Sequence, residues 1–181
     1  MMKKLGFVMI GLGLVVTAFA QNKVKVNAVK EESSIIYSMK HPLHEWTGES
    51  KEVNSILLMD EARTTIYQVA VSAKLASFDS KNANRDSHMM EETEALKFPN
   101  VTYTSTSVNI EGGDFTSSGN ITFHGISQPV ALKGKIIREG NKLTFKGEFN
   151  LKLTQFKVDP PSLMGIDTND DFKLDFKVVY Q

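Results

Sequence analysis

Histidine is the residue type in this chain best suited to metal binding or proton transfer, and the sequence contains four. His41 and His44 have a spacing that could chelate a metal, but Pro42 lies between them in a predicted turn. A structural metal site needs three or four ligands with a supporting shell of hydrogen bonds. We therefore predict no metal site, and we expect His88 to bond the loop backbone together with Asp86.

The remaining chemistry-bearing residues form no pattern typical of an enzyme. The sequence has no G-x-S-x-G, no Ser-His-Asp spacing and no phosphate-binding loop. It has no cysteine, which excludes disulfides and thiol redox chemistry. Basic and acidic side chains number 21 each, a balance that gives no electrostatic footprint for nucleic acid or for an anionic membrane surface. We predict a protein that is not an enzyme and has no cofactor.

The N-terminus has the features of an export signal. Lys3 and Lys4 precede the apolar run Leu5–Val16, and Ala18-Phe19-Ala20 is a small-x-small cleavage pattern. The run is shorter than the roughly 20 apolar residues of an ordinary membrane span. We predict a signal peptide over residues 1–20 that is cleaved after Ala20. Residues 21–181 would then be one periplasmic or secreted domain.

Strands must position whatever site the domain has. Leu143–Leu153 alternates apolar and polar residues without interruption, and Phe172–Tyr180 repeats the pattern. Two strands with aromatic dry faces need a closed or double-layered sheet to cover them. Further strands are expected at residues 23–29, 33–40, 53–59, 64–73, 101–110, 115–123 and 130–137. The sequence predicts an all-β antiparallel barrel or sandwich.

Four local features refine this prediction. The polar stretch Ser80–Glu94 indicates one short helix, because Ser, Asn and Asp can cap it and its Met residues give it an apolar side. A switch of parity near Ser105–Ser107 predicts a β-bulge. Gly112-Gly113 predicts a tight hairpin turn, and His124–Pro129 is expected to be a longer connection.

Four stretches, in order, resemble one family. They are Ile35-x-Tyr37-x-x-x-His41 with Gly48, Arg85–Met89 (RDSHM), Phe98–Ser105 (FPNVTYTS) and Gly119–Val130 (GNITFHGISQPV). All are similar to motifs of the YceI-like family of exported bacterial polyisoprenoid-binding proteins. The resemblance covers nearly the whole mature chain. It implies a lipocalin-like, eight-stranded antiparallel barrel whose elongated pocket holds a long isoprenoid, a quinone tail or a related lipid, for carriage or storage.

An eight-stranded barrel is just wide enough either to be filled by side chains or to hold one small ligand. Eleven Phe and eight Met would make a permissive wall for a flexible apolar guest. The candidate lipid-binding residues are Ile35, Tyr37, Met39, Phe78, Tyr103, Phe123, Leu132, Phe145, Phe149, Leu151, Phe172, Leu174 and Phe176. Arg85 and His88 could meet a polar or pyrophosphate headgroup at the barrel mouth.

The alternative is a filled barrel that acts as a stress-related protein-interaction module without a lipid. Interior volume distinguishes the two hypotheses, because inward rings packed against one another would leave no room for a ligand. Both hypotheses are compatible with transient membrane contact and with a homodimer formed through an exposed sheet edge. No nucleic-acid partner is expected.

Overall fold

The computed structural model describes residues 22–163 and 165–181, so the predicted signal peptide, residues 1–20, lies outside the described residues. Within these described residues, twelve strands and one α-helix follow one another. The strands are β1 Lys23–Asn27, β2 Ser34–His41, β3 His44–Ser50, β4 Val53–Asp60, β5 Ile66–Lys74, β6 Asn100–Glu111, β7 Asp114–Phe123, β8 Ile126–Glu139, β9 Lys142–Lys152, β10 Ser162–Leu163, β11 Ile166–Asp167 and β12 Asp171–Tyr180. Helix α1 is Ala83–Glu92, between β5 and β6.

Ten of the strands form one curled antiparallel sheet in the order β1-β4-β5-β6-β7-β8-β9-β12-β2-β3. The end of β1 returns to β12, where Ala28 bridges Tyr180 and the Val29 N–H donates to the Val179 carbonyl over 2.7 Å. This confirms the all-β antiparallel, barrel-like prediction, with ten strands in place of eight. The difference has a simple cause. β1 and β2 flank the short 3-10 turn Lys30–Glu32, and β3 runs almost directly into β4, so two bent strands are each divided in two.

The alternating strands lie where the pattern indicated. In β9, Leu143, Phe145 and Leu151 are buried, whereas Lys146 and Glu148 between them are exposed. β12 pairs with β9 from Asp171 to Tyr180 without a register shift. The long antiparallel ladder follows from the matched alternation, because a one-residue slip would turn every apolar side chain outward.

Two predicted irregularities are also confirmed. The β6–β7 register shifts between Ser105 and Ser107, which is the predicted bulge. Gly112 has φ +60° in the two-residue turn between Glu111 and Asp114, a conformation that glycine adopts at no steric cost.

The predicted connection His124–Pro129 is wrong. The turn between β7 and β8 comprises only His124 and Gly125, because Phe123 already pairs with Ile126. Pro129 therefore lies within β8, opposite Asn120. Proline is tolerated there because β8 pairs with β9 only from Gly134 onward, which leaves the first half of β8 with one neighbouring strand.

The sequence prediction missed three strands, one of the main sheet and two of a separate hairpin. β3 escaped detection because its sequence HEWTGES is polar and does not alternate clearly. The two-residue strands β10 and β11 form a small separate hairpin, which was not predicted. The helix is confirmed but shorter than predicted: the Asn82 side chain caps it by accepting a hydrogen bond from the Arg85 N–H over 3.1 Å.

Within residues 22–163 and 165–181, no helix is both long and apolar enough to cross a bilayer.

Candidate functional site

The curled sheet encloses a cavity of about 500 Å³. Its wall is almost entirely apolar, and its two charged liners, Arg85 and Glu92, lie on α1 at one end. Small-molecule sites commonly have volumes of roughly 300–1,000 Å³. Since an apolar cavity of about 150 Å³ holds one benzene, this cavity would hold roughly twenty carbon atoms.

Glycines opposite aromatic residues keep the interior hollow. Phe115 of β7 faces Gly134 of β8, and Phe176 of β12 faces Gly147 of β9. Gly134 and Gly147 are themselves paired across β8 and β9. The rings of Phe115 and Phe176 cover this pair of glycines from the strands on either side, and their centroids are 6.2 Å apart. A Cβ on Gly147 would lie 2.7 Å from the Phe176 ring, so the rings lie close to the wall only because the side chains beneath are absent.

Tyr37 repeats the arrangement on the neighbouring strands. It pairs with Gly48 of β3, and a Cβ there would lie 2.6 Å from the Tyr37 Cζ atom. The ring therefore lies against the wall and contacts Phe78, with ring centroids 5.7 Å apart. The aromatic residues pack against one another around the wall without filling the centre.

Two tyrosines that line the cavity, Tyr103 and Tyr180, pair their hydroxyls with serine side chains. The Tyr180 hydroxyl donates to Ser55 Oγ over 2.5 Å, and Ser55 donates in turn to the Ala70 carbonyl. Tyr103 donates to Ser117 Oγ over 2.6 Å, and Ser117 donates to the Ser107 carbonyl.

Desolvation on burial raises the pKa of both phenols, Tyr103 and Tyr180, above the ordinary tyrosine value. Burial, followed by the Asp86 carboxylate, likewise raises the pKa of Tyr37. These phenols therefore stay uncharged to a higher pH than an exposed tyrosine does.

The open end, here called the mouth, lies between the β2–β3 hairpin, the β10–β11 hairpin and α1. Its rim carries a row of three rings, His41, His44 and Trp46, with successive centroid distances of 5.4 and 5.1 Å. The Arg85 guanidinium lies 5.2 Å from the Trp46 ring centroid and donates to the Ser80 carbonyl over 3.3 Å. A cation is thus held at the α1 end of the ring row.

His41 ties the two hairpins of the mouth together. Its Nδ1 accepts a hydrogen bond from the Leu43 N–H over 3.1 Å, so Nε2 carries the proton and donates to the Ile166 carbonyl over 3.0 Å. Both ring nitrogens are used within the protein. In the part of the chain that the structure describes, no group of three or more metal-ligating side chains occurs.

The structure brings all the sequence-predicted site residues to this one cavity. The thirteen candidate lipid-binding residues and both headgroup candidates line it: Ile35, Tyr37, Met39, Phe78, Tyr103, Phe123, Leu132, Phe145, Phe149, Leu151, Phe172, Leu174, Phe176, Arg85 and His88. His88 and Asp86 were both expected to bond the loop backbone. Asp86 does so, because its carboxylate accepts a hydrogen bond from the Ser80 N–H over 3.1 Å.

Sequence reasoning missed several lining residues. β4 and β5 contribute Leu57, Ile66, Val69 and Val71. Strand alternation could have identified Leu57, Val69 and Val71. Ile66 has the opposite parity to Val69 because the β4–β5 register shifts between Leu58 and Met59. Trp46 was missed because β3 was not recognised. Thr168 was missed because it lies outside every predicted strand, and no local signal marks it as buried.

The sequence and the fold both match known proteins. Residues 26–180 match the profile of the YceI-like domain. The chain belongs to the YceI-like family. Protein YceI of Salmonella newport is 29% identical over 168 residues, which cover 87% of this chain and 88% of that protein.

Solved structures of low sequence identity share the fold. Burkholderia cenocepacia BcnA superposes with a TM-score of 0.75 at 19% identity, covering 85% of this chain and 99% of that one. A polyisoprenoid binding domain from Saccharophagus degradans gives a TM-score of 0.68 at 13% identity, covering 86% and 97%. The YceI protein of Campylobacter jejuni gives 0.63 at 23% identity, covering 74% and 84%.

Proposed function

We propose that this protein is an exported lipid-binding protein that holds one long apolar chain, of the isoprenoid or quinone-tail class, in its cavity. The observation that carries the proposal is the apolar hollow of about 500 Å³ inside the sheet. Membership of the YceI-like family and the fold shared with a polyisoprenoid binding domain support it. The filled-barrel alternative requires an interior occupied by rings, whereas the rings here lie against the wall.

The energetics favour carriage or storage over irreversible capture. Each methylene buried from water gains about 0.8 kcal/mol, so a chain of roughly twenty carbons would bind very tightly when measured against water. In a cell, however, the alternative to the cavity is a bilayer, which is equally apolar. The net free energy of transfer from bilayer to cavity is then small, as reversible exchange requires.

The mouth suits loading from a membrane. Leu43, at the tip of the β2–β3 hairpin, is 63% exposed, and Ile166 of the β10–β11 hairpin is 43% exposed. These two side chains flank the rim that His41 ties together. In our proposal they enter the bilayer surface briefly while the ligand passes the ring row, and Arg85 and His88 on α1 then face its polar end.

We further propose that the protein acts in the periplasm or outside the cell, which the N-terminal signal pattern supports. No catalytic step is needed for this function, and no cofactor other than the bound lipid.

Two measurements on the purified full chain test the proposal. Mass spectrometry of an organic extract should detect a co-purifying long-chain lipid. The delipidated protein should then take up radiolabelled geranylgeraniol in a saturable manner, at one molecule per chain. A protein that yields no extractable lipid and takes up no labelled prenyl chain would refute the function.

A matched control separates the cavity from general surface stickiness. Ile56→Ser changes a side chain that is 43% exposed on β4 and does not line the cavity. Uptake should be the same in this variant as in the wild type. A loss of uptake would indicate that exposed apolar side chains, and not the cavity, bind the probe.

A further inference from the structure

The wall of the cavity is split between β8 and β9. The two strands pair from Gly134 and Gly147 to their common turn, and the pairing goes no further from that turn than these glycines. Beyond them, residues 127–133 of β8 have only β7 as a neighbour, and residues 148–152 of β9 have only β12. Within the part of the chain that the structure describes, no backbone pairing joins these two segments. We call the opening between them the slit.

Both ends of the slit are closed. The paired glycines close one end, and the turn Thr154–Phe156 that follows β9 closes the other. The Gln128 side chain donates to the Gln155 carbonyl over 3.0 Å, and His124 Nδ1 donates to the Phe156 carbonyl over 2.9 Å. At about 3.3 Å per residue, the six residues from Gln128 to Gly134 make the slit about 20 Å long. It is therefore a bounded opening in the wall and not a frayed strand end.

The slit contains a space of about 450 Å³ that borders the main cavity. Three residues, Ser117, Leu132 and Phe149, line both spaces. Phe149 points inward between Phe145 and Leu151 on β9, yet it is only half-buried whereas both of those residues are buried. The passage between the two spaces therefore runs past Leu132 and Phe149, and a larger side chain at either position would narrow it.

The lining of the slit suits an apolar chain that has water on its outer side. Leu132 and Phe149 form the inner border, and Ala131, Lys133 and Lys173 lie on the outer face. A lysine stem can cover an apolar surface while its amine stays in water. The slit can therefore cover a hydrocarbon without burying a charge.

A peptide strand is the other occupant that an open sheet edge could accept. The free edge of β8 carries Pro129, which has no N–H to donate, and the exposed Lys133. Proline and lysine on an edge strand are devices by which proteins discourage the addition of a further strand. The slit is therefore better suited to a lipid chain than to a peptide.

The two spaces together have room for a longer chain than the main cavity alone. On the scale that gives the main cavity roughly twenty carbons, the slit would hold roughly eighteen. A chain longer than the cavity must otherwise leave its remaining methylenes in water, which costs free energy for each of them. A subsite beside the cavity removes that cost.

We propose that the slit is a second subsite of the lipid site, which binds the part of the chain that the main cavity has no room for. This rests on the proposed lipid-binding function and extends its ligand class to prenyl chains of roughly thirty to forty carbons. The polar end stays at the mouth. The far end of the chain passes between Leu132 and Phe149 and lies between β8 and β9.

Closing the slit tests this subsite. The chain has no cysteine, so introduced thiols are unique. Ala131→Cys with Asn150→Cys places one thiol on each side of the slit, at positions that would be opposite each other if the β8–β9 register continued. A short bifunctional maleimide then bridges the slit. Lys135→Cys with Lys146→Cys is the matched control, because these exposed residues are already opposite each other in the paired part of the same strands.

The readout is partition of labelled prenyl alcohols from vesicles into each protein, before and after bridging. Geranylgeraniol has four isoprene units and heptaprenol has seven. Before bridging, both alcohols should partition alike, because protein and bilayer each cover the whole chain. Bridging the slit should lower the partition of heptaprenol by more than about a hundredfold, since its additional carbons would then lie in water. Geranylgeraniol should be unaffected, and bridging the control pair should change neither alcohol.

A second measurement locates the far end of the chain. The single variant Ala131→Cys carries one exposed thiol at the slit, and Lys135→Cys carries one on the same strand beyond it. Bound heptaprenol should slow the reaction of the thiol at position 131 with a maleimide severalfold, and bound geranylgeraniol should not. The thiol at position 135 should react at the same rate with either alcohol.

Three other results would overturn the proposal. A wild-type protein that takes up geranylgeraniol but not heptaprenol would have no subsite for the longer chain. Unchanged partition of heptaprenol after bridging would leave the slit to another occupant, such as an added strand. Equal protection of the thiol at position 131 by both alcohols would mean that the slit responds to any ligand. In all three the wild type still binds geranylgeraniol, whereas failure to bind either alcohol refutes the proposed function itself.

Discussion

Replacing Phe149 by tryptophan tests whether the interior is a hollow or a packed core. Phe149 lines the cavity from β9, with its ring centroid 6.2 Å from that of Phe176. Tryptophan adds three heavy atoms, which is roughly 75 Å³ on the scale of an apolar cavity of about 150 Å³ for benzene. The available volume is about 500 Å³, so the larger ring fits in the unloaded protein but takes the space of about three ligand carbons.

The stability of the unloaded protein is the first measurement. Overpacking a filled core costs about 1–3 kcal/mol. We expect Phe149→Trp to change the free energy of unfolding by less than about 1 kcal/mol, because the added atoms enter existing space. Phe156→Trp is the matched control, since Phe156 is fully buried, packs against Phe123 with ring centroids 5.5 Å apart and does not line the cavity. That control should show the full overpacking cost in urea titrations.

Ligand length provides the second measurement. Geranylgeraniol fills the wild-type cavity on this volume scale, so the variant should leave about three of its carbons in water. At about 0.8 kcal/mol each, the loss is about 2.4 kcal/mol, or roughly fiftyfold in affinity. Farnesol, one prenyl unit shorter, should bind both proteins alike. Equal destabilisation by the two tryptophan variants, together with equal weakening of both alcohols, would show that no hollow exists.

Three shorter predictions concern the mouth, the wall and the strand turns. Leu43→Ser should slow transfer of a labelled prenyl alcohol from vesicles severalfold without changing its equilibrium affinity, whereas Ile137→Ser, an exposed side chain on β8 that does not line the cavity, should leave the rate unchanged. Gly48→Ala should push the Tyr37 ring into the cavity, so the affinity for geranylgeraniol should fall more than the affinity for farnesol. The Thr64 hydroxyl, with nearby backbone N–H groups, lowers the pKa of Asp60, so this carboxylate stabilises the fold above the unfolded-state pKa and the effect is lost as pH falls through the lower folded-state value. Asp60→Asn should therefore lower the urea midpoint at pH 7 but approach the wild type in acid, and a difference independent of pH would contradict this.

The sequence predicted well those parts of the fold in which local pattern and tertiary position coincide. β9 and β12 alternate because each has one face toward the cavity, so their residues could be assigned from parity alone. The bulge near Ser105 was visible for the same reason. Local pattern fails for β3, whose polar residues are held in the sheet by pairing with β2.

The candidate site was predicted in its apolar wall but not in its polar details. The inward faces of Phe145 and Phe176 follow from strand parity. The burial of Thr168 does not, because it depends on a hairpin that returns from a distant part of the chain to meet β2. Likewise, no local pattern shows that Trp46 lies beneath Arg85, since these residues belong to different elements separated by two strands. Long-range contacts determine which polar groups face the ligand.

The paired glycines Gly134 and Gly147 imply that the width of the cavity is determined partly by residues outside its lining. Each leaves its opposing ring room to lie back. A methyl group added at either position would meet backbone as well as the ring, the Lys146 carbonyl at Gly134 and the Lys133 carbonyl at Gly147, so the strand spacing and the ring would have to change together. Relatives with the same lining residues could therefore bind ligands of different width. Substrate range in such proteins should be sought in the backbone beneath the aromatic residues as well as in the surface that meets the lipid.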